Sequence, residues 1–258
     1  MNINHKDTSI FYTDQGTGSP VILLHGFLEN HTMWHNFLEA LTVSYRVICI
    51  DLLGHGKTDC IGYIHTMDNM AEAANAVLTH LNINEAQIIG HSMGGYVGLA
   101  FAKAYPDKIT GLCLLNATPE QDSEERKKLR KRAIEMAKTQ YNQLVHMSFV
   151  NLFDKTTKEQ HPLEVKKALQ EALKTPVQGF IAGHSGMSLR EDFITLFKNF
   201  AFKTGMILGK TDLIINTEKH LADYKSHINF FQIIDSGHMS HISKKLDTNQ
   251  AILEFLAL

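Results

Sequence analysis

The chain has 258 residues, 44% of them hydrophobic, and 25 Lys+Arg against 27 Asp+Glu leave a formal charge of -2. That length can bury one large core, and the near-neutral balance gives no pull toward nucleic acid or an anionic membrane. Three cysteines are too few for a disulfide framework and point to a reducing cytoplasm, while the sequence shows no apolar leader behind Met1–Lys6 and no run of eighteen apolar residues that would span a membrane.

Two alternating stretches, Asn2–Lys6 and Ser9–Thr13, predict an antiparallel hairpin, followed by a Gly- and Pro-bearing turn at residues 14–20. The pattern then changes. Val21–Leu24, Val47–Ile50, Gln87–Ile89 and Leu112–Leu115 are continuous apolar runs, as expected of parallel strands covered on both faces. Helical spacing appears between them, at about Met33–Leu41, Asp68–Leu81 and Met93–Tyr105, so the alternation predicts a doubly wound α/β fold.

After Asn116 the alternation stops for some eighty residues. From Pro119 to Lys198 the spacing predicts amphipathic helices, one with an apolar face at Leu129, Ala133, Met136, Ala137, Tyr141, Leu144 and Val145. These residues read as a helical lid, 119–198, inserted into a core of 1–118 and 199–258. The lid carries 14 Lys+Arg against 11 Asp+Glu. Its basic run Arg126–Arg132 reads as a solvated helix face, or, as a second reading, as an attraction for an anionic substrate or carrier. Strands then resume at Gly205–Gly209 and Phe230–Ile234, with helices near Glu218–Tyr224 and from Thr248 to the last residue.

Within this order one stretch carries chemistry. Gly90-His91-Ser92-Met93-Gly94 follows an apolar strand and opens a helix. A strand that turns at once into a helix strains the corner residue and exposes its side chain, and glycines two before and two after remove colliding side chains. Ser92 is therefore the candidate nucleophile. Gly183-His184-Ser185-Gly186-Met187 lacks both the second glycine and the strand, so Ser185 reads as a lid residue.

A serine hydroxyl needs a general base, and the base needs an orienting acid. Of fifteen histidines, His238 lies in a loop directly after the last strand, which brings it to the same sheet edge as Ser92. Asp212 follows the preceding strand. Asp235 is its rival, but three residues of loop scarcely let it reach the far ring nitrogen. Asn116 stands where another acid could have been. The backbone amides of Phe27 and Met93 are the candidate donors to a developing oxyanion, and His25 reads as a structural brace for the Phe27 loop.

These motifs, His25-Gly26-Phe27, Asp51-Leu52-Leu53-Gly54-His55-Gly56, Gly90-His91-Ser92-Met93-Gly94-Gly95, Gly209-Lys210-Thr211-Asp212 and Ser236-Gly237-His238, together resemble the α/β-hydrolase superfamily over nearly the whole chain. The resemblance implies that Asp51 and His55 are structural. Gly186–Asp192 looks like the end of the lid in small esterases, lactonases and carbon-carbon bond hydrolases. Ser92 in place of aspartate argues against dehalogenases and epoxide hydrolases, Tyr96 departs from the arginine of menaquinone-pathway synthases, and Met93 departs from the tryptophan of proline iminopeptidases.

The leading expectation is a serine carboxylesterase for small to medium esters, needing no cofactor. Its apolar pocket would be lined by Phe27, Trp34, Met93, Phe149, Phe153 and Phe180, although the same aromatics suit core packing. Carbon-carbon bond hydrolysis, lactone hydrolysis and a non-catalytic ligand receptor remain open. No metal is expected, because neither His31/His35 nor His238/His241 has the intervening glutamate of a zinc helix.

Overall fold

The structure, a computed structural model, describes residues 1–258. One sheet of eight strands runs through the molecule in the order β1-β2-β4-β3-β5-β6-β7-β8. The strands are β1 (Asn2–His5), β2 (Thr8–Gln15), β3 (Ser19–Leu24), β4 (Tyr45–Ile50), β5 (Ala86–His91), β6 (Ile109–Leu115), β7 (Lys203–Gly209) and β8 (Phe230–Ile234). β1 pairs antiparallel with β2 and β2 antiparallel with β4; every other neighbouring pair is parallel. The hairpin and the six apolar runs are thus where the alternation places them.

Helices α1 (His35–Leu41), α2 (Met67–His80) and α3 (Met93–Ala104) connect the first strands. Then α4 (Glu124–Val150), α5 (Lys155–Gln160), α6 (Pro162–Ala172), α7 (Val177–Ser188) and α8 (Ile194–Lys198) form one helical insertion between β6 and β7, and α9 (Thr217–Tyr224), α10 (Ser240–Ser243) and α11 (Lys245–Ala257) complete the chain. The first predicted helix begins as a 3-10 turn at His31–Trp34, and the last starts at Lys245, ahead of Thr248. No helix is long and apolar enough to cross a membrane.

Three apolar clusters follow from this layering. Residues of α2 and α3 join one face of the sheet in a cluster of 36, α1 and α11 cover the other face in a cluster of 16, and the insertion packs around Val145, Phe149 and Phe180 in a cluster of 11 that also takes in Leu28, Met239 and Ile242 from the core. Continuous apolar strands are needed because both faces are covered.

The insertion departs from its sequence reading in two ways. Leu129 and Met136, assigned to the apolar face of α4, are 60% and 41% exposed, while Arg130, assigned to a solvated face, is 9% exposed. The inward stripe keeps the expected Ala133, Ala137, Leu144 and Val145 but takes in Arg130 where hydropathy selects Leu129. Arg130 can occupy it because Asp122, wholly buried in the preceding loop, accepts hydrogen bonds from its Nε and Nη2. Hydropathy ranks a charge as outward and does not register a buried partner.

Candidate active site

The sheet order makes β3, β5, β6, β7 and β8 consecutive neighbours, so the loops leaving their carboxyl ends meet along one edge. Those loops carry Phe27, Ser92, Asn116, Asp212 and His238.

Ser92 stands between β5 and α3 at φ 48° and ψ -113°, a conformation that costs a non-glycine residue about 1–3 kcal/mol. The turn closes only because Gly90 and Gly94 have no Cβ: one at Gly90 would strike the carbonyl of Gly94, and one at Gly94 that of Leu24. Ser92 N–H bonds the Leu115 carbonyl at 3.0 Å, which ties the corner to β6.

His238 Nε2 lies 3.1 Å from Ser92 Oγ, and its Nδ1 lies 2.8 Å from Asp212 Oδ2. A carboxylate accepts only, so Nδ1 carries the proton and Nε2 is left to accept from the serine hydroxyl. Both side chains of the His238–Asp212 pair are out of water. Burial alone would raise the Asp212 carboxyl, but the His238 charge and hydrogen bonds from His238, Asn116 and the Ile214 N–H together hold it below its ordinary value. Asp235 is exposed and takes no part.

Asn116, at the strand end where another acid could have stood, organises this pair. Its Nδ2 donates to Asp212 Oδ2 at 2.9 Å, and its Oδ1 accepts from Ser240 Oγ at 2.9 Å. Its φ of 46° turns the chain out of β6, and its N–H bonds the Ile207 carbonyl of β7 at 2.8 Å. The amide of Phe27 makes no hydrogen bond inside the protein, and Met93, first residue of α3, has no intrahelical acceptor for its own. Both N–H groups are left to serve an outside acceptor. His25 donates from Nδ1 to the Gly26 carbonyl at 2.7 Å and accepts the Leu52 N–H on Nε2 at 2.8 Å, and Asp51 accepts from the His31 and Lys57 amides.

A second carboxylate–imidazole array lies beside the first. Glu29 Oε2 is 2.7 Å from His91 Nδ1 and accepts the Gly26 N–H at 2.9 Å; its Oε1 is 3.1 Å from His241 Nε2. His91 Nε2 in turn lies 3.2 Å from the His238 carbonyl. Both neighbours of the His91 ring are acceptors, so both nitrogens carry protons. Burial opposes that charge, but Glu29 and the His238 carbonyl outweigh it and raise the imidazole above its ordinary value. The Glu29 carboxyl, likewise opposed by burial, is held well below its own by His91 and His241. The donor atoms of Glu29, His91 and His241 lie within 4.8 Å of one another, close enough for a metal ion. Their spacing, 2.7 and 3.1 Å, is that of hydrogen bonds already made to one another.

Ser92 and His238 open onto a cavity of about 360 Å³ whose wall includes Phe27, Tyr96, Arg126, Arg130, His184 and Met187. This corrects the expected pocket. Trp34 is fully buried on the opposite face of the sheet with Phe37, because its short helix packs against β3 and β4. Phe149, Phe153 and Phe180 fill the insertion's own core, with Phe149 also bordering a separate cavity of about 320 Å³, and Met93 is sealed in the sheet core. Of the residues named for the pocket, Phe27 alone lines the cavity, held edge-on to His184 with ring centres 4.5 Å apart.

A sequence model of the α/β hydrolase fold matches residues 19–245. Among solved structures, a thermophilic esterase from Thermogutta terrifontis, with malate bound, superposes with a TM-score of 0.92 at 32% identity, covering 97% of this chain and 93% of that one. A 3-oxoadipate enol-lactonase from Acinetobacter baylyi is 25% identical over 94% of this chain and 90% of its own length. A non-heme haloperoxidase from Rhodococcus erythropolis is 36% identical, but over only 43% of this chain and 42% of its own. That match therefore spans less than half of the relative.

Proposed function

The chain belongs to the α/β-hydrolase family, and on that footing we propose that it is a carboxylic ester hydrolase working through an acyl-enzyme on Ser92. One observation carries the reading: a serine held at a strained corner, 3.1 Å from an imidazole that is itself 2.8 Å from a buried carboxylate, at the wall of a cavity of small-molecule size. The likeness to an esterase over nearly the whole chain supports it.

In this mechanism Ser92 Oγ attacks the ester carbonyl carbon while His238 Nε2 takes the hydroxyl proton. Asp212 holds the ring in the required tautomer and stabilises the imidazolium. The carbonyl oxygen, now negative, accepts from the Phe27 and Met93 amides, each worth on the order of a hundredfold in rate. Collapse expels the alkoxide, which takes the proton from His238 and leaves as the alcohol. Water, deprotonated by the same nitrogen, then attacks the acyl carbon and releases the carboxylic acid and free Ser92. A lactone is an ester closed into a ring, so the same steps open it. The helical insertion acts as the lid, since Arg126, Arg130, His184 and Met187 of its α4 and α7 wall the cavity. The three free thiols, two of them in the core, support a reducing cytoplasm.

The test is hydrolysis of 4-nitrophenyl esters from acetate to decanoate by the wild type beside Ser92→Ala. Turnover of short esters that vanishes in the variant supports the reading. A wild type inert on the whole series overturns it and returns carbon-carbon hydrolysis or a receptor to the front.

A further inference from the structure

The cavity wall is richer in positive charge than ester hydrolysis requires. Asp122, buried between the start of α4 and the end of α7, is in contact with three guanidinium groups. Arg130 donates to it from Nε and Nη2, Arg190 from Nη1 at 2.5 Å, and Arg126 Nε approaches to 3.7 Å. One negative charge faces three positive ones. Of these four residues Arg126 and Arg130 line the cavity, and the carboxylate that lines it, Glu29, is already answered by His91 and His241.

The three arginines are not equivalent. Arg190 also donates to the carbonyls of Glu120 and Met187, both at 3.1 Å, and stacks on the Tyr96 ring at 4.1 Å. Arg130 is spent on Asp122 and on His184 Nδ1 at 3.3 Å. Arg126, half-buried and on the cavity wall, makes no hydrogen bond with its guanidinium; only its backbone N–H is engaged, donating to the Ser123 cap that starts α4. It thus presents a planar fork of donors to the cavity, the geometry that matches a carboxylate. Beside it, His184 is pushed down to about 3 by burial and by Arg130, so the ring is neutral. With Nδ1 accepting from Arg130, its proton is on Nε2, a further donor at the same wall.

Resting on the hydrolase reading above, we propose that the substrate is an ester or lactone bearing a free carboxylate, such as a half-ester of a dicarboxylic acid, and that Arg126 binds that carboxylate. Arg130, Arg190 and Asp122 act as the frame that holds α4 and α7 together with a net positive charge at the cavity. A neutral ester of the same length leaves the Arg126 guanidinium with no hydrogen-bond partner beyond its 3.7 Å approach to the shared Asp122.

The experiment compares mono-4-nitrophenyl glutarate with its methyl ester, matched in length but uncharged. The wild type is expected to favour the anion by about tenfold or more in kcat/KM, mostly through KM, with the ratio falling as salt is raised. Arg126→Gln lowers that ratio at least tenfold and Arg126→Glu inverts it. Lys128→Gln, exposed on the same helix and off the cavity wall, leaves it unchanged and separates binding from general steering. Equal rates on both esters, or a preference that survives in Arg126→Gln, overturn the proposal while leaving the hydrolase reading in place. If neither ester is cleaved, calorimetry of glutarate on Ser92→Ala still decides: binding that disappears when Arg126→Gln is added supports the anion site and sinks only the hydrolase reading, and absence of binding sinks the site.

Discussion

Two carboxylate–imidazole arrays stand side by side in this protein, the rings of His91 and His238 only 5.3 Å apart, and they are built for different work. In one, Asp212 fixes the proton on the near nitrogen of His238, and the far nitrogen meets a hydroxyl at the cavity wall. In the other, Glu29 accepts a hydrogen bond from the Nδ1–H of His91, and the far nitrogen donates to a backbone carbonyl. The hydroxyl can give up a proton; the carbonyl can only accept one. The same residue types therefore suit the proposed base in the first array and a fixed imidazolium in the second. Through Gly26 N–H and the His238 carbonyl, that second array ties the loop of the proposed oxyanion donors to the loop of the proposed base.

The comparison can be broken by substitution. Ser92→Ala is expected to lower kcat by about 10⁴-fold or more with the melting temperature unchanged or raised, since alanine removes the nucleophile and no packing. Asp212→Asn follows, at about 10³- to 10⁴-fold in kcat, because the amide stabilises the wrong tautomer of His238. A loss of less than tenfold would place the orienting acid elsewhere. Glu29→Gln reverses the pattern: about 3 kcal/mol of stability in a urea titration, from an unanswered buried imidazolium, and a loss of kcat near tenfold as the loop shifts. Activity lost in Glu29→Gln to the same degree as in Asp212→Asn, without destabilisation, would make the second array catalytic.

The smallest effect is in pH. Glu29 is held below its ordinary 4.5, so its contribution to stability is present above that value and lost as pH falls through the folded value. His91 is raised above its ordinary 6.5, so its contribution is complete below that value and lost as pH rises through the folded value. The stability difference between wild type and Glu29→Gln is therefore expected to peak between about 4.5 and 6.5 and to shrink on both sides. A difference that is flat from pH 4 to 9 would mean that no ion pair forms between them.

The uneven legibility of the two arrays has a local cause. Ser92, Asp212 and His238 each follow a strand directly, and a parallel sheet delivers every such loop to the same edge, so their meeting is implied by strand order. Glu29 gave no comparable signal. Its partners lie 62 residues away at His91 and far along the chain at His241, and neither contact follows from any periodicity. Asn116 stands at a strand end, where the sequence shows only that a carboxylate is missing and not that its amide donates to Asp212.

By itself the sequence determined the sheet, its alternation with helices, the strained serine corner and the chain order of the site, because each rests on constraints a few residues long: apolar runs, glycine spacing, loops that start where strands stop. Tertiary structure alone decided that Arg130 of α4 turns inward, which aromatics become core and which charges border the cavity. Those outcomes depend on what lies across the interface. An arginine is stable inside when Asp122 meets it, Trp34 faces the sheet because β3 and β4 offer it an apolar surface, and neither partner can be read from the residues on either side.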